Sequence, residues 1–170
     1  MKKNGFTLLE VLVVVGIVGI LASIALPNLS SFLESNRVEN KLQELNRLFA
    51  YARGEAISGE TFVTVCPLVN RTCTNDWSKE IVAFIDDNNN QTREANEAEL
   101  RVSGPLNSND FLQFANAALT YESRGMLANN DAGGRFIYCP SYKNNINSRS
   151  LDITPLTGRA TISDNTVTCN

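Results

Sequence analysis

The chain has 170 residues, which is enough for one ordinary domain with a hydrophobic core but not for that domain plus much else. With 15 basic and 18 acidic residues its formal net charge is −3, so its overall charge does not attract nucleic acid. The chain contains no histidine, the residue most often used as a general base and as a zinc ligand. Composition therefore excludes Ser-His catalysis, and we predict a protein that is not an enzyme and takes no cofactor or small-molecule substrate.

The N-terminus combines a short basic start with an almost wholly apolar stretch, residues 11–26. A secretory signal peptide cut near Ala25 or a simple membrane anchor would explain this much. Two features argue against both explanations. Gly5-Phe6 lies before the apolar stretch rather than after it. Glu10 lies near the start of the stretch, where an ionised carboxylate costs about 3 kcal/mol on membrane-insertion scales and therefore needs a partner.

Removal of residues 1–5 would supply such a partner. Phe6 would then carry an α-amino group four residues before Glu10, one helical turn away. This ammonium group, from the same chain or from a neighbouring chain in a filament, can neutralise the carboxylate, and such a pair specifies register more than it adds stability. Residues 6–26 would form about 31 Å of α-helix, which matches the core of a bilayer.

The sequence KKNGFTLLEV, followed by an apolar helix, resembles the N-terminal signal of type IV pilins and type II secretion pseudopilins. The resemblance implies that a prepilin peptidase cuts after Gly5 and methylates the new N-terminal residue, Phe6. It also implies that Glu10 guides the docking of subunits. Gly19 and Pro27 are helix breakers, and the resemblance implies that the helix loosens around them as a subunit moves from membrane to filament.

The expected organisation is a leader peptide at 1–5, a transmembrane and filament-core helix at 6–27, and a periplasmic globular head at 28–170 that includes the second half of the helix. We expect a single-pass inner-membrane protein that later enters a pilus or a pseudopilus. The partners implied by the resemblance are other minor and major pilins, the prepilin peptidase and inner-membrane lipid.

Beyond the apolar stretch the sequence stays helical but becomes amphipathic. Six apolar residues recur at spacings of three and four and form one stripe: Val38, Leu42, Leu45, Phe49, Ala52 and Ala56. We expect this stripe to pack on a sheet, because it covers too few heptads for an isolated coiled coil. Charged residues such as Lys41 and Arg53 are assigned to the other faces. The helix is predicted to end near Ser58, with Gly59 as a left-handed cap.

After Gly59 the apolar period shortens to about two residues, which is typical of strands separated by turns. The predicted strands are Thr61–Cys66, Glu80–Ile85, Glu99–Val102, Phe111–Phe114, Leu119–Glu122, Arg135–Cys139, Arg149–Ile153 and Arg159–Ile162. A long helix followed by strands indicates an α+β fold with an antiparallel sheet laid on the helix.

Four cysteines follow the apolar stretch, on the side of the membrane that would be exported. An even number of cysteines in an oxidising compartment favours two disulfides, and free buried thiols are the alternative. Of the three possible pairings we favour Cys66–Cys73, which closes a short loop, with Cys139–Cys169, which ties the C-terminus to an earlier strand.

Scattered motifs add a second resemblance. The runs RGEAISGE (53–60), IVAFIDDNNN (81–90) and TPLTGR (154–159) look like the GspH/FimT group of minor pilins and minor pseudopilins, which includes the FimU type. The resemblance implies a spine helix with a β-rich head of two antiparallel sheets. It also implies a minor pilin that initiates or caps a filament in pilus biogenesis and twitching motility. Two alternatives stay open: a GspH-like minor pseudopilin of type II secretion, and a FimT-like minor pilin that binds DNA for natural transformation.

A polar run after the predicted strand Glu80–Ile85 has oxygen side chains at calcium-loop spacing, with Asp86, Asn88, Asn90 and Glu97 as the candidate ligands. Gln91, however, stands where the sharp turn of such a loop needs glycine, and a strand precedes the run where a helix is expected. The alternative is a solvated loop between two strands, and we predict no metal.

The C-terminal third carries several basic residues. Some members of the resembled group bind DNA through a G-R-x-R-like loop, in which arginines meet phosphates. Gly158 and Arg159 match this pattern, Thr161 replaces its second arginine, and Arg149 is another candidate contact. The alternative is that Gly158 makes a strand turn and Arg159 is an ordinary surface residue.

Overall fold

The structure is a computed structural model that describes residues 7–128 and 133–170, with the side chains of residues 24–28 left out of the description. One long helix, α1, runs from Leu8 to Gly59. The strands that follow it in the described ranges are β1 (Val63–Val69), β2 (Thr72–Cys73), β3 (Ile81–Ile85), β4 (Glu99–Ser103), β5 (Phe111–Gln113), β6 (Leu119–Tyr121), β7 (Gly134–Cys139), β8 (Arg149–Ile153) and β9 (Ala160–Ser163).

Both ends of α1 are capped. Thr7 is the N-cap, and its Oγ1 accepts a hydrogen bond of 3.3 Å from the backbone N–H of Glu10. At the other end Glu60 has a left-handed backbone, with φ 52°, and its N–H donates to the carbonyl of Ala56. The prediction that Gly59 is the left-handed residue is therefore wrong by one position, because α1 continues through Gly59 and the cap is the first residue after the helix.

The predicted apolar stripe is the buried face of α1. Each of its residues is at most 1% exposed, and Leu48 joins them. Together they form one core with apolar side chains from both sheets, including Val65, Ile81, Phe136 and Leu151. The stripe is buried because a helix that is apolar on one side lowers its free energy by covering that side with a sheet.

Two antiparallel sheets pack on α1. The first has the order β2-β1-β3-β4, with β6 also paired to β1, and the second has the order β5-β7-β8-β9. This confirms the predicted α+β fold with a two-sheet head. Each of the eight predicted strands is present. The short strand β2 was not predicted, because it follows a two-residue turn in which Asn70 and Arg71 both have positive φ, and it is too short to show a period.

Two disulfides fasten the head, and they are the pairs favoured from the sequence. Cys66–Cys73 joins β1 to β2. Cys139–Cys169 joins the end of β7 to the C-terminal segment. That segment runs from the β9 edge of the second sheet to its β5 edge, where Gln113 and Asn170 exchange two hydrogen bonds. The second disulfide therefore holds the C-terminal segment against this sheet.

The predicted membrane span at 6–27 falls partly outside the description, since residue 6 and the side chains of 24–28 are not described. Among the side chains that are described, no stretch of helix has both the length and the apolar character needed to cross a membrane. The span, like the leader peptide at 1–5 and the cut after Gly5, stays a prediction.

Candidate functional site

The first part of α1 is apolar on every side and exposed. Its large apolar side chains range in exposure from 50% at Val11 to 79% at Leu8; they are Leu8, Leu9, Val11, Leu12, Val13, Val14, Val15, Ile17, Val18, Ile20 and Leu21. An apolar surface of this extent marks a site of contact with other chains or with lipid. A helix that is apolar on all sides is typically buried by protein or by lipid when the protein functions.

Glu10 is the only charged side chain between Leu8 and Leu33. In the described part of the chain no ion pair involves its carboxylate. Gly19 lies further along the same exposed helix, and outside its own helical turn and its chain neighbours no atom of the described residues lies within 4 Å of the position that a Cβ would take there. None of the residues that the structure describes therefore requires glycine at this position. Pro27 lies inside α1, and Phe6 lies outside the described residues.

A polar network marks the point where α1 enters the head. The guanidinium of Arg37 donates two hydrogen bonds, of 2.7 and 3.0 Å, to the carboxylate of Asp110. The hydroxyl of Tyr138 donates to the same carboxylate at 2.6 Å, and the backbone N–H of Ser141 at 3.0 Å. Burial raises the pKa of Asp110, but these donors outweigh burial and hold its pKa below the usual value. Asp110 is therefore a buried, charged link between α1 and the second sheet.

Glu34, one helical turn before Arg37, holds the loop that follows β7. Its carboxylate accepts hydrogen bonds from Ser141 Oγ at 2.7 Å and from Asn145 Nδ2 at 2.8 Å. The Ser141 bond is the largest cause that lowers the pKa of Glu34, against a smaller opposing effect of burial. Sequence reasoning missed this link, because it joins residues more than one hundred positions apart.

Two basic residues of α1 that were assigned to faces other than the apolar stripe are bonded to the head. Lys41 is only 9% exposed, and its Nζ donates to Ser103 Oγ at 2.7 Å and to the Gly104 carbonyl at 2.6 Å. Arg53 Nε donates to the Gly125 carbonyl at 2.8 Å. Long basic side chains can lie beside a core in this way, because their apolar stems pack on it while their charge reaches distant acceptors.

The run with calcium-loop spacing is built around Asp86, which is fully buried. Its carboxylate accepts hydrogen bonds from Thr64 Oγ1 at 2.6 Å and from the backbone N–H groups of Asn90 and Gln91 at 2.9 and 3.1 Å. Asn88 caps the Asn90 N–H in the same way, at 3.1 Å. In the described ranges no group of three or more His, Cys, Asp or Glu side chains is arranged to hold a metal ion. The carboxylate of Asp86 instead binds the N–H groups of its own loop.

Glu97 closes the same loop and is 3% exposed. It accepts from the backbone N–H of Asp87 at 3.0 Å and of Glu94 at 2.8 Å. Burial, and then a hydrogen bond with the Glu94 carboxylate, raise the pKa of Glu97, while that same bond lowers the pKa of Glu94 to about 2. The run is therefore a loop between β3 and β4 whose backbone N–H groups are bonded to the buried carboxylates of Asp86 and Glu97.

The candidate DNA contacts lie at opposite ends of the β8–β9 hairpin. Gly158 has φ +61° in the turn between these strands, and a Cβ there would lie 2.4 Å from Tyr121 Cε1. The turn therefore requires glycine for structural reasons. Arg159 is exposed beside this turn, whereas Arg149 lies at the far end of the hairpin and donates to two backbone carbonyls. The structure does not bring the two arginines together, and DNA contact stays a prediction.

A long N-terminal helix, exposed in its first part and packed on two antiparallel sheets in its second, defines a pilin-like protein. Comparisons with known proteins agree with this class. A family model described as "Type II transport protein GspH" matches residues 41–157, and one described as "Prokaryotic N-terminal methylation motif" matches residues 1–26. The chain belongs to the GspH family of type IV minor pilins and pseudopilins.

Individual relatives come from Pseudomonas aeruginosa. Two curated fimbrial proteins are 34% identical over 62 residues, and this match spans 36% of the chain and 40% of each relative. A crystal structure of the type IV minor pilin FimU has a TM-score of 0.60 and 25% identity, and the match covers 78% of this chain and 92% of that one. A second crystal form of FimU, with a TM-score of 0.57 and 24% identity, shows the same fold. The resemblance stated from the scattered motifs is confirmed.

Proposed function

We propose that this chain is a minor pilin of a type IV pilus, inserted in the inner membrane as a precursor with residues 28–170 in the periplasm. A prepilin peptidase cuts it after Gly5 and methylates Phe6. The subunit then joins other minor and major pilins in a complex that initiates or caps the filament. The observation that carries this proposal is the exposed, apolar first part of α1 with the single charge of Glu10 near its start.

This surface needs cover in both states of the subunit. In the precursor, residues 6–27 span the bilayer and lipid covers the apolar side chains. In the filament the same side chains pack against the helices of neighbouring subunits. No second site on the chain is required, since one apolar helix fits both environments.

Glu10 makes assembly into the filament selective for subunits in the correct register. Its carboxylate costs about 3 kcal/mol in lipid unless a cation lies beside it. Cleavage after Gly5 creates an ammonium group at Phe6, and a neighbouring subunit can bring this group to Glu10. The pair forms only when the two helices are in the correct register, so a misplaced subunit keeps the cost of an unpaired charge.

Gly19 and Pro27 each have a role in the packing or movement of α1. The open space around Gly19 allows the backbone of a neighbouring helix to approach closely. Pro27 has no backbone N–H and removes one hydrogen bond from the helix, so α1 can loosen there as the subunit leaves the membrane.

Processing is tested by intact mass and N-terminal sequencing of protein extracted from membranes. We expect a chain that begins at Phe6 and carries one added methyl group. The variant Gly5→Ala is expected to stay uncut, whereas the control Gly16→Ala, on the exposed helix, is expected to be cut normally. A chain that begins near Leu26 would replace the proposal with a secreted protein that has lost a signal peptide.

A second candidate function is a minor pseudopilin of type II secretion. It is favoured by the matched family model, whose description refers to type II transport. Deleting the gene and scoring twitching motility, protein secretion and transformation separately discriminates the machines. Loss of twitching with normal secretion supports the minor pilin, and the reverse result supports the pseudopilin. Loss of transformation alone would support the DNA-binding alternative.

A further inference from the structure

We propose that the loop between β7 and β8, residues 140–148, lies in the headgroup layer of the membrane that holds α1. This inference rests on the proposed function, since it needs α1 to span a bilayer. It goes further, because it assigns a lipid contact to the head itself. We call residues 140–148 the β7–β8 loop.

The exposed side chains of the β7–β8 loop are of the kinds that favour a membrane interface. Ile146 is 69% exposed, the highest value among the large apolar side chains described outside α1, and Tyr142 is 55% exposed. Tyrosine is enriched where bilayers meet water, because its ring is apolar and its hydroxyl is polar. Lys143 lies between them, but its Nζ already contacts the Asn170 carbonyl, so the argument depends on Tyr142 and Ile146.

Hydrogen bonds hold the loop at a fixed position along α1. Asn147 Nδ2 donates to Ser31 Oγ at 3.1 Å and to the Ser31 carbonyl at 3.3 Å. The loop is also bonded to Glu34, one turn further along, through Ser141 and Asn145. Ile146 is the chain neighbour of Asn147, so its Cα lies about 4 Å from that of the residue bonded at the level of the Ser31 turn.

The distance from this level to the bilayer core is short. Ser31 is four residues beyond the proposed end of the span at residue 27, which is about 6 Å along a helix. The headgroup layer extends roughly 5 to 7 Å beyond the hydrocarbon core on each side. The loop therefore reaches this layer without any movement of the head.

The loop cannot easily swing away from α1. Ser141, at its start, has φ 59° and donates its N–H to the buried carboxylate of Asp110, which is itself bound to Arg37 of α1. Cys139, the last residue of β7, is bonded to Cys169. The loop is thus fastened at its start by Cys139 and Ser141 and near its end by the bonds of Asn147 to Ser31, so it presents its apolar side chains in one direction.

The test measures membrane depth with a fluorescent dye on single cysteines in the full-length protein. All four native cysteines are paired, so the dye reacts only with the introduced one. The protein is placed one copy per nanodisc, in phosphatidylethanolamine and phosphatidylglycerol with a nitroxide on either the headgroup or the acyl chain. Ile146→Cys reports on the loop, and Tyr142→Cys is a second reporter there.

Two matched positions on α1 complete the experiment. Ser58→Cys is exposed and lies 27 residues beyond Ser31, which places it about 40 Å further from the membrane. Val14→Cys lies in the proposed span and is 54% exposed in the isolated chain. We expect headgroup nitroxide to quench the dye at 146 and at 142 several-fold more than at 58, and acyl-chain nitroxide to quench the dye at 14.

The outcomes separate the inference from the function on which it rests. If the dye at 14 is quenched while the loop reporters are quenched no more than the dye at 58, the lipid contact is wrong and the span stands. The exposed loop would then be free to meet a neighbouring pilin. If the dye at 14 is not quenched, the span itself is wrong and the lipid contact fails with it.

Discussion

The two parts of α1 have the same backbone conformation and opposite surroundings. From Leu8 to Leu21 large apolar side chains point in every direction and are at least half exposed, whereas from Val38 to Ala56 they form one stripe that is fully buried under two sheets. The second part is stabilised by its own chain. Among the described residues the first part has no such cover, and we propose that lipid and other subunits supply it.

The boundary between the two parts is chemical as well as geometric. Three charged residues follow one another at one-turn spacing on the face of α1 that meets the head: Glu34, Arg37 and Lys41. Each is bound by the sheets or by the loops between their strands. This helix is therefore fixed in the head by charges at its entry and by apolar packing beyond it.

The largest expected effect comes from removing a buried ring in the second part of α1. Phe49 is 1% exposed, and its ring lies 5.3 Å from that of Phe136. Phe49→Ala should lower the free energy of unfolding of the head by about 3–5 kcal/mol, because it leaves a cavity. Leu21→Ala, in the exposed part, should change it by less than about 0.5 kcal/mol.

Urea unfolding of the full chain in mild detergent measures both changes. Trp77, the single tryptophan, is 1% exposed and lies 4.7 Å from Phe136, so its fluorescence reports on the core. Equal losses for the two variants would show that the two parts of α1 do not differ as described.

The charged entry to the head should give a smaller effect that depends on pH. Asp110→Asn removes a buried carboxylate from the partly exposed guanidinium of Arg37, and we expect a loss of about 2 kcal/mol at neutral pH. The pKa of Asp110 is lower in the folded state than in the unfolded state. Its contribution is therefore present above the unfolded pKa and is lost as pH falls through the folded pKa.

Unfolding measured over a pH series checks this sign. The natural chain should lose stability as pH falls below about 4, and the Asp110→Asn chain should lose less over the same range. Asp164→Asn, an exposed aspartate near the C-terminus, is the matched control and should behave as the natural chain does. If Asp110→Asn and the natural chain lost the same stability over this pH range, Asp110 would not be the cause of the loss.

The features that could be predicted from the sequence are mostly those that repeat along the chain. The stripe from Val38 to Ala56 and the eight longer strands follow from periods of three to four and of two residues, and each is in the structure. The disulfide pairs favoured from spacing and compartment are also there. The stripe and the strands are local, so a short window of sequence contains the information that specifies them. The pairing of Cys139 with Cys169, 30 positions apart, is not local and was favoured from the even number of cysteines and the oxidising compartment.

The polar links could not be predicted in this way. Arg37 and Asp110 are 73 positions apart, and Glu34 and Ser141 are 107 apart, so no local period connects them. Asp86 was a candidate calcium ligand because the spacing of the oxygen side chains that follow it can be seen in the sequence. Its hydrogen bond from the Thr64 hydroxyl cannot be seen there, because the fold brings the two residues together. A buried polar side chain takes its role from its partners, which only the fold brings together.

The smallest expected effect lies at the start of the exposed part. Thr7 Oγ1 caps the first turn of α1, and Thr7→Ala should destabilise that turn by about 1 kcal/mol. Hydrogen exchange at residues 8–11 should become faster, with no change in the urea unfolding of the head. Thr7→Ser keeps the cap and should exchange like the natural chain. Faster exchange throughout the head would mean that the two parts of α1 are coupled.

The incorporation of a Glu10→Gln subunit into filaments tests whether assembly depends on the charge of Glu10. The substitution keeps the shape of the side chain and removes the charge that we propose a neighbouring amino group must meet. Filaments sheared from cells that express the natural chain, Glu10→Gln or the control Glu39→Gln are compared for the amount of this subunit, with membrane levels and processing measured in parallel. We predict that Glu10→Gln is inserted and cut normally but is depleted from filaments, while Glu39→Gln is not. Equal incorporation of all three subunits would contradict the account.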